Sequence, residues 1–265
     1  MKLAAGHLEK HGSTSPRLDA EVLMAHALRK RRLDLYLQFE RPLSEDELAP
    51  YRELLARRAR GEPVAYLVGH KEFMALDFEV TPAVLIPNPD TEVLVQRAVA
   101  IARERAAPMR AADVGTGSGC IAIALAHYAP EVEVWAGDTS QEALGVAARN
   151  VAKHALDGRV HLLEGDLLAP FTGQFDLICA NLPYVEAGAE LPAEVRAQPA
   201  GALYADAGGA AMVNRLLEQA PAYLAPGGRL LAEVDPAMLT ALHLPEQRVM
   251  HRDIAGHERV VEAWY

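Results

Sequence analysis

From about residue 93 to the C-terminus, the sequence alternates between helical and extended hydrophobic patterns, and this alternation limits the folds open to the chain. The segments are, in order, helix VLVQRAVAIARER, strand AADV, helix CIAIALAHY, strand VEVWAGD, helix SQEALGVAARNVAKHA, strand VHLLEGD, strand FDLICAN, helix AAMVNRLLEQAPAYL and strand GRLLAEV. Strands that alternate with helices of this length form a parallel sheet with helices on both faces. The pattern predicts a doubly wound α/β domain over residues 93–265, with the final HERVVEAWY as an antiparallel edge strand.

The first 70 residues carry helix signals and no strand-like alternation. Ser15 is a predicted N-cap, and Pro16 follows it at the first helical position. Ser44 and Glu47 have the spacing of a capping box at the start of a second long helix. We therefore predict a small, all-helical domain over residues 1–70.

The second helix and the segment after it contain several residues that interrupt regular structure. Pro50 is expected to kink or divide the helix, and Gly61 to end it. Period-two apolar positions and several prolines then predict a hairpin or extended linker over residues 71–92. Asp90 or Thr91 is expected to cap the helix that follows.

The composition is that of a globular protein, with 265 residues of which 51% are hydrophobic and 23% charged. Charge returns before any apolar stretch of signal-peptide length, and glycines interrupt the longest uncharged run, 114–130. We therefore expect a soluble, cytoplasmic protein without membrane contact. Cys120 and Cys179 lie among small or apolar residues, and the ten histidines form no HExxH motif. Buried thiols and no metal site are expected.

The net charge of −10 is unevenly distributed along the chain. Residues 1–70 carry 12 basic and 10 acidic side chains, so the remainder carries a net charge of −12. An acidic main domain argues against direct nucleic-acid binding, which depends on neutralising phosphates. The basic runs RKRR (29–32) and RRAR (57–60) could contact an acidic or RNA-bearing partner, although solvated helix ends explain them equally well.

A glycine-rich turn in ADVGTGSGCIAIA connects the first predicted strand to a helix. Gly115, Gly117 and Gly119 allow close approach of a ligand at the carboxyl edge of the sheet, where doubly wound folds bind nucleotides. The dinucleotide fingerprint requires a glycine where this chain has Cys120. With Asp113 two residues upstream, the turn resembles instead the S-adenosylmethionine loop of class I methyltransferases.

Acidic residues follow the next two predicted strands, Asp138 after the second and Asp166 after the third. By the same resemblance, Asp138 would accept both ribose hydroxyls of the cofactor, and Asp166 would face its adenine. The residues expected to hold S-adenosylmethionine are Gly115, Thr116, Gly117, Ser118, Gly119, Asp138, Asp166, Leu167 and Asn181.

The fourth predicted strand ends in NLPY, residues 181–184, beside the glycine loop and across the topological switch point. This segment resembles the (N/D)PPY motif of enzymes that methylate a planar nitrogen, in adenine or in a glutamine amide. Together with SPRLDAEVLMAHAL, RGEPVAYLVGHKEF, LIPNPDTE and DVGTGSG, it resembles the HemK/PrmC family of peptide chain release factor N5-glutamine methyltransferases. The resemblance runs from about residue 13 to DIAGHERVV near the C-terminus.

An amide nitrogen is a poor nucleophile, because its lone pair is delocalised into the carbonyl. The Asn181 side-chain oxygen and the Leu182 carbonyl can each accept one substrate N–H, which would direct the lone pair towards the methyl donor. Tyr184 would pack against the planar amide, and Pro183 would stiffen the turn. Asn181, Leu182, Pro183 and Tyr184 are therefore the expected catalytic residues.

Three positions depart from the family pattern. Leu182 replaces the first proline of the motif, Asn88 replaces an arginine, and AEVDP stands where the family more often has an acidic residue and glycine. The Leu182 carbonyl can still accept a hydrogen bond, whereas Asn88 removes a charge close to the predicted cleft. Thr91 and Glu92 match the family and could contact cofactor or substrate, or merely cap a helix.

The resemblance implies a monomeric enzyme that methylates the glutamine of the Gly-Gly-Gln motif in class I peptide chain release factors. It also implies that the N-terminal helical domain recognises this protein substrate. A glutamine methyltransferase of a ribosomal protein, an adenine-N6 methyltransferase and a non-catalytic S-adenosylmethionine-binding regulator remain alternatives. The acidic main domain and the asparagine at position 181 disfavour the adenine enzyme.

Overall fold

The computed structural model describes residues 1–105, 107–186, 188–205 and 209–265. Their contacts divide the chain into two compact units. The first, the helical unit, contains Met1–His70 and Leu191–Ala197. The second, the sheet unit, contains Lys71–Glu190 and Gln198–Tyr265. A short segment from the later part of the sequence thus belongs to the helical unit.

The helices and strands of the described residues follow one another along the chain without long irregular segments. They are α1 (Lys2–Lys10), α2 (Pro16–Ala27), α3 (Arg32–Leu37), α4 (Glu45–Ala59), α5 (Val64–Val68), β1 (His70–Phe73), β2 (Leu76–Glu79), α6 (Glu92–Arg105), β3 (Met109–Val114), α7 (Cys120–Tyr128), β4 (Val132–Asp138), α8 (Gln141–Lys153), β5 (Val160–Glu164), β6 (Phe175–Ala180), β7 (Val185–Glu186), α9 (Ala193–Arg196), α10 (Ala200–Leu203), β8 (Tyr204–Ala205), α11 (Ala210–Tyr223), β9 (Leu224–Glu233), β10 (Arg248–Arg252) and β11 (Glu258–Ala263). Two 3₁₀ helices cover Pro89–Thr91 and Pro236–Ala241.

The start signals of the two predicted N-terminal helices have different outcomes. Helix α2 begins with Pro16 after Ser15, but the Ser15 side chain makes no capping hydrogen bond. Helix α4 has the predicted capping box: the Ser44 hydroxyl accepts from the Glu47 N–H, and the Glu47 carboxylate accepts from the Ser44 N–H at 3.0 Å. Helix α4 also continues through Pro50 to its end, so the idea that this proline divides the helix is wrong.

The helical unit pairs most of its basic runs with its own carboxylates. The ion pairs are Arg31 with Asp34, Arg32 with Glu21, Arg57 with Glu62, and Arg58 with Asp19. Arg58 is only 7% exposed and also contacts Glu194 at 2.5 Å. Glu21 is buried as well, and hydrogen bonds from Tyr36 and two arginines hold its pKa at about 2. These runs therefore offer less free positive charge than the sequence suggests.

The sheet unit is built on seven strands in the order β10-β11-β9-β6-β3-β4-β5. Strands β5, β4, β3, β6 and β9 run parallel to one another. From β3 the chain proceeds outward through β4 to β5, then returns to the other side of β3 to form β6 and β9. The strand order reverses between β3 and β6, which confirms the predicted doubly wound topology.

The C-terminal segment pairs as expected but does not lie at the edge of the sheet. Strand β11 is antiparallel to β9, as predicted, and β10 pairs antiparallel with its other side. The edge strand is therefore β10, and the prediction that HERVVEAWY forms the edge is wrong. Since β11 is covered on both sides, Val260 and Val261 are fully buried, whereas β10 exposes most of its residues and gives little apolar signal.

Both faces of the large sheet are covered, so its strands carry apolar residues on both sides. Along β6, Leu177 and Cys179 belong to one buried cluster, with residues of α6 and α7, whereas Ile178 and Ala180 belong to another, with residues of α11. Parallel strands buried in this way read as continuous apolar runs. Among the described residues, no helix combines the length and apolar character needed to cross a bilayer.

The segment between the helical unit and α6 contains a small hairpin and a capped turn. Strands β1 and β2 form a two-stranded sheet. Asn88, rather than Asp90 or Thr91, supplies the capping side chain: its Oδ1 accepts from the Asp90 N–H at 3.2 Å. The 3₁₀ turn Pro89–Thr91 precedes α6, so the helical backbone starts earlier than the apolar pattern indicates.

Candidate active site

A cavity of about 360 Å³ opens at the carboxyl ends of β3, β4, β5 and β6. A volume of this size is typical of a small-molecule site. Val114 at the end of β3 pairs with Ala180 at the end of β6. The residues that follow these strands, Gly115 and Asn181, therefore lie beside each other. The expected site residues that line the cavity are Gly115, Thr116, Gly117, Ser118, Asp138, Asp166, Leu167, Asn181, Leu182 and Pro183.

The glycine loop is held against the end of β4 by its backbone. The N–H groups of Gly115 and Thr116 both donate to the Gly137 carbonyl at 2.9 Å. The Gly117 N–H donates to Asp138 Oδ2 at 2.9 Å. Gly117 has a φ of +54°, and a Cβ there would meet no protein atom within 4 Å. The loop thus leaves open space on the cavity side of Gly117.

Gly119 allows close packing of the neighbouring helices and is not part of the cavity wall. It does not line the cavity, and a Cβ at this position would lie 3.0 Å from Ile123 Cδ1 and 3.4 Å from Ala147 Cβ. The adjacent Ser118 carbonyl accepts from Asn150 Nδ2 at 2.9 Å. Asn150 is fully buried and also bonds the backbone of Glu79 on β2. Sequence reasoning missed Asn150, although a polar residue on the apolar face of α8 is a readable signal.

Asp113 lies beneath the loop and braces it. Its Oδ2 accepts from the Thr116 hydroxyl at 2.6 Å and from the Ala122 N–H at 3.2 Å. Its Oδ1 has no hydrogen-bond partner among the described residues. Because the carboxyl group is fully buried, its pKa rises to about 7, and these two hydrogen bonds only partly oppose the rise.

Asp138 places its carboxylate between the glycine loop and the start of α8. One oxygen accepts from Gly117 and the other from the Ser140 N–H at 2.9 Å. Each carboxylate oxygen can accept more than one hydrogen bond, so both oxygens can still accept a hydrogen bond from a ligand in the cavity. Asp138 can therefore hold the loop and a hydroxylated ligand at the same time.

Asp166 and Leu167 follow the end of β5. The Asp166 side chain is 54% exposed, and its Oδ2 pairs with Arg215 at 2.6 Å. Leu167 is buried and has a φ of +47°, a conformation that non-glycine residues rarely adopt. Such strain occurs often at functional sites, and here it accompanies a backbone that lines the cavity.

Asn181 is anchored at the opposite wall through its amide nitrogen. Its Nδ2 donates to Thr91 Oγ1 at 3.0 Å. The Leu182 side chain is buried, 3.1 Å from where a Gly115 Cβ would lie. No hydrogen bond from the described residues reaches the Leu182 carbonyl. Two acceptors of the NLPY turn, Asn181 Oδ1 and the Leu182 carbonyl, therefore accept no hydrogen bond from the described residues.

Tyr184 differs from the rest of its motif because it does not line the cavity. Its ring packs against the buried cluster that contains α11 residues, and burial raises the pKa of its hydroxyl to about 12. A Cβ at Gly209 would lie 2.1 Å from the Tyr184 carbonyl oxygen, so only glycine fits there. Sequence reasoning missed Gly209.

Two further segments contribute to the cavity walls, and one of them contains the start of LIPNPDTE. Residues 82–85, Pro87 and Asn88 form one wall, and Pro199, Gly201 and Ala202 contribute to another. The Ile86 N–H donates to Gln198 Oε1 at 3.0 Å, which joins the two segments. Asn88 is therefore adjacent to the cleft, as expected.

Thr91 and Glu92 have separate roles. Thr91 lines the cavity, whereas Glu92 Oε1 accepts from the Met74 N–H at 3.1 Å and lies outside it.

Neither cysteine is poised as a nucleophile. Both thiols are free, and Cys120 lines the cavity whereas Cys179 is buried in β6. Burial raises the pKa of Cys120 to about 12 and that of Cys179 well above its usual value. Since the thiolate is the reactive form, neither thiol has the lowered pKa of an activated nucleophile.

Comparison with known proteins adds two family matches and full-length relatives. Residues 1–69 match the PrmC N-terminal domain, and residues 89–198 match the methyltransferase small domain. The release factor glutamine methyltransferase of Rhodopirellula baltica is 40% identical, over 95% of this chain and 90% of that protein. The enzyme of the same name from Moorella thermoacetica is 45% identical, over 88% of this chain and 81% of that protein.

A solved methyltransferase from Pyrococcus furiosus shares the fold, with a TM-score of 0.53 at 20% identity, over 78% of this chain and 94% of that one. The cavity thus lies at the switch point of a methyltransferase fold, in a chain whose relatives match it along nearly its whole length. This chain belongs to the family of release factor glutamine methyltransferases.

Proposed function

We propose that this protein transfers a methyl group from S-adenosylmethionine to the side-chain amide nitrogen of the glutamine in the Gly-Gly-Gln motif of class I release factors. The observation that carries the proposal is the anchored Asn181, whose amide nitrogen is engaged by Thr91 while its oxygen is left for a substrate N–H. Membership of the family supports the choice of a glutamine in a release factor.

The residues of the cavity fit S-adenosylmethionine. The open space at Gly117 accommodates a ligand against the loop backbone, and Asp138 has acceptor capacity for ribose hydroxyls. Asp166 and Leu167 line the cavity at the end of β5 and would hold the adenine there. Because Arg215 already pairs with Asp166, we assign that carboxylate a smaller share of the binding energy than Asp138.

When bound, S-adenosylmethionine supplies an electrophilic methyl group on a sulfonium centre. The chain itself positions the nucleophile: Asn181 Oδ1 and the Leu182 carbonyl each accept one N–H of the substrate amide. Holding both hydrogens fixes the plane of the amide and turns the nitrogen lone pair towards the methyl group. A strong general base is unnecessary, because the N–H becomes acidic only as positive charge develops on nitrogen.

Tyr184 supports this turn from behind. Its ring is partly buried against the cluster that contains α11 residues and does not line the cavity, so we assign it the task of fixing the position of Asn181 and Leu182. Stacking on the substrate amide would require the ring to leave its packed position. We therefore assign Tyr184 a positioning role and keep the direct contacts for the two preceding acceptors.

We further propose that the helical unit recognises the protein substrate. It carries apolar side chains that are largely exposed, among them Leu37 and Phe39 at 71% and 76%. Exposed apolar groups of this kind are typical of protein-binding surfaces. A monomer that acts on a translation factor in the cytoplasm fits this division of roles.

The proposal is tested by incubating the purified full-length chain with an intact class I release factor and S-adenosylmethionine. Peptide mass spectrometry should then find one added methyl group on the glutamine of the Gly-Gly-Gln motif. A ribosomal protein and an adenine-containing oligonucleotide serve as competing substrates. Methylation of either one in place of the release factor would overturn the proposed substrate.

A further inference from the structure

We propose that Arg259 is a positioning residue, which holds in place the turn that anchors Asn181. The inference rests on the proposed function, because Asn181 is the residue that would receive the substrate amide. Arg259 belongs to DIAGHERVV, the segment near the C-terminus at which the family resemblance ends. No residue of this segment lines the cavity, yet the Arg259 side chain is only 12% exposed.

The direction of β11 brings Arg259 to the edge of the sheet at which the cavity opens. Strand β11 runs antiparallel to β9, so it begins where β9 and the other parallel strands end. Val260 pairs with Glu233, the last residue of β9, and the Arg259 carbonyl accepts from the Val234 N–H at 2.8 Å. The backbone of Arg259 is thus fixed at the same edge of the sheet as Asn181.

The turn before β11 sets the direction of the Arg259 side chain. Asp253 Oδ1 accepts from the His257 N–H at 2.9 Å, and Gly256 gives the turn a φ of +88°. Asp253 Oδ2 accepts from Arg259 Nη2 at 3.2 Å and from its Nε at 3.4 Å. The Asp253 side chain is 7% exposed. One carboxylate therefore closes the turn and orients the guanidinium group.

The guanidinium group also faces two carboxylates from other parts of the sheet unit. Asp90 Oδ2 lies 3.4 Å from Arg259 Nη2, and Asp235 Oδ2 lies 3.9 Å from its Nη1. An arginine side chain in a protein keeps its positive charge. Without that charge, the carboxylates of Asp90, Asp235 and Asp253 would repel one another. Arg259 therefore draws Asp90 towards the end of β9.

The position of Asp90 determines that of Thr91, the next residue of the 3₁₀ helix Pro89–Thr91. Asn88 Oδ1 accepts from the Asp90 N–H at 3.2 Å, which closes this short turn at its start. Thr91 Oγ1 accepts from Asn181 Nδ2 at 3.0 Å. A displacement of Asp90 would therefore loosen the anchor of Asn181. Small misplacements of a group that orients the substrate have a large effect on rate.

A role in the β10–β11 hairpin alone is the competing explanation for Arg259. That role would require only the contact with Asp253, which lies in the same hairpin. The ion pair with Asp90 instead connects the hairpin to the segment that precedes α6. The two explanations predict different results, because a hairpin contact affects thermal stability, whereas a positioning contact affects kcat.

The experiment compares Arg259→Gln, which removes the charge, with Arg259→Lys, which keeps it. We expect Arg259→Gln to lower kcat for the release factor about fivefold, as for the loss of an ion pair, with little change in cofactor affinity. Arg259→Lys should retain more of the kcat. Arg252→Gln is the matched control and should resemble the unaltered protein, because Arg252 lies in the same hairpin, pairs with Glu258 at 3.3 Å and is 64% exposed.

Double-mutant cycles test whether Arg259 acts through the two residues that connect it to the site. Arg259→Gln should cause a smaller loss of kcat in an Asp90→Asn background, and no further loss in an Asn181→Ala background. A normal kcat for Arg259→Gln, equal kcat values for the Gln and Lys variants, or additive losses in either cycle would each overturn the inference.

Asp90→Asn gives a second route if Arg259→Gln does not fold. The Asp90 side chain is 42% exposed, and the variant keeps the backbone N–H that donates to Asn88. We expect kcat to fall about threefold, in the range of a partly exposed ion pair. An unchanged kcat would contradict the inference.

A readout that needs no methyl transfer separates this inference from the proposed function. The NMR signal of the Asn181 side-chain NH₂ group is identified by its loss in Asn181→Ala. It should shift in Arg259→Gln and stay in place in Arg252→Gln, because only the first change loosens the contact with Thr91. An unshifted signal in Arg259→Gln would overturn the inference. An unaltered protein that shows the shift but fails to methylate the release factor would overturn the proposed function alone.

Discussion

The glycine loop and the NLPY turn lie side by side at the switch point, but different parts of the chain hold them in place. The loop is braced from within, since Asp113 bonds Thr116 and Ala122, and it is also held to the end of the neighbouring strand by Gly137 and Asp138. The NLPY turn depends on residues far away in sequence: Thr91 anchors Asn181, and Gly209 leaves room for the Tyr184 carbonyl. The glycine loop thus combines a local brace with contacts to the neighbouring strand, whereas the NLPY turn depends on tertiary contacts.

This difference separates the effects expected from substitutions in the two regions. Changes in the NLPY turn should affect kcat and leave cofactor binding largely intact. Changes in the glycine loop and at Asp138 should affect cofactor binding first. If either set of variants altered both quantities equally, the two regions would have to be regarded as one site.

The largest effect is expected for Asn181→Ala. By analogy with removing one preorganised polar contact from a transition state, kcat should fall about a hundredfold or more. Cofactor affinity, measured by titration calorimetry, should change much less. Asn214→Ala is the control, because Asn214 bonds the backbone of Ala241 and His243 and does not line the cavity. A fully active, thermally normal Asn181→Ala protein would refute the proposed mechanism.

Gly117→Val should have the next largest effect, on cofactor binding. Its φ of +54° is strained for a β-branched residue, and the added side chain would extend into the open space of the cavity. We expect affinity to fall roughly a hundredfold, about 2.7 kcal/mol, which is at the upper end of the cost of an unpaired hydrogen-bonding group. Gly158→Val, at an exposed glycine with open space around it, is the control. Unchanged binding in the Gly117 variant would remove the loop from the site.

Asp138→Ala should weaken S-adenosylmethionine binding by about 1–3 kcal/mol, because hydroxyl contacts to the ligand are lost. The same change frees the Gly117 N–H, so part of the loss reflects a less ordered loop. Calorimetry measures the affinity, and kcat at saturating cofactor should remain close to normal. A large fall in kcat with normal affinity would place Asp138 on the substrate side instead.

The smallest effect is expected for Asp113→Asn and depends on pH. The pKa of Asp113 is raised from 3.8 to about 7 by burial, so its charged form is disfavoured in the folded state. Its contribution to stability is therefore fully present below about pH 4 and is lost as the pH rises through about 7. Relative to the variant, the unaltered protein should lose a few degrees in Tm between pH 5 and pH 8. Parallel Tm curves for the two proteins would contradict the assignment.

Hydrophobic periodicity and helix-capping signals were sufficient to predict much of the fold. The nearly continuous apolar runs of β3 and β6 are typical of a parallel sheet covered on both faces, and the doubly wound topology followed from the alternation of strands with helices. The capping box of α4 is a contact within four residues and needs no tertiary context. Helices α1 and α3 were not predicted, because the first lacks a capping side chain and the second spans only six residues.

The edge of the sheet and the walls of the cavity could not be predicted in the same way. Strand β10 is exposed at the edge, so its sequence carries little alternation, and only pairing with β11 makes it a strand. Pro199, Gly201 and Ala202 line the cavity because the chain returns there after the helix α9, a path that no local pattern specifies.

By itself, the sequence determined the fold class, because this depends on local periodicity, and it placed the glycine loop and the NLPY turn at the ends of two strands. Their expected roles came from the resemblance to a known family. Only the tertiary structure decided which end of the Asn181 amide faces the cavity. It also decided that the Tyr184 ring packs inward and that Gly119 serves helix packing. Orientation within the site depends on buried contacts such as that between Asn181 and Thr91, which join positions that the order of residues leaves far apart.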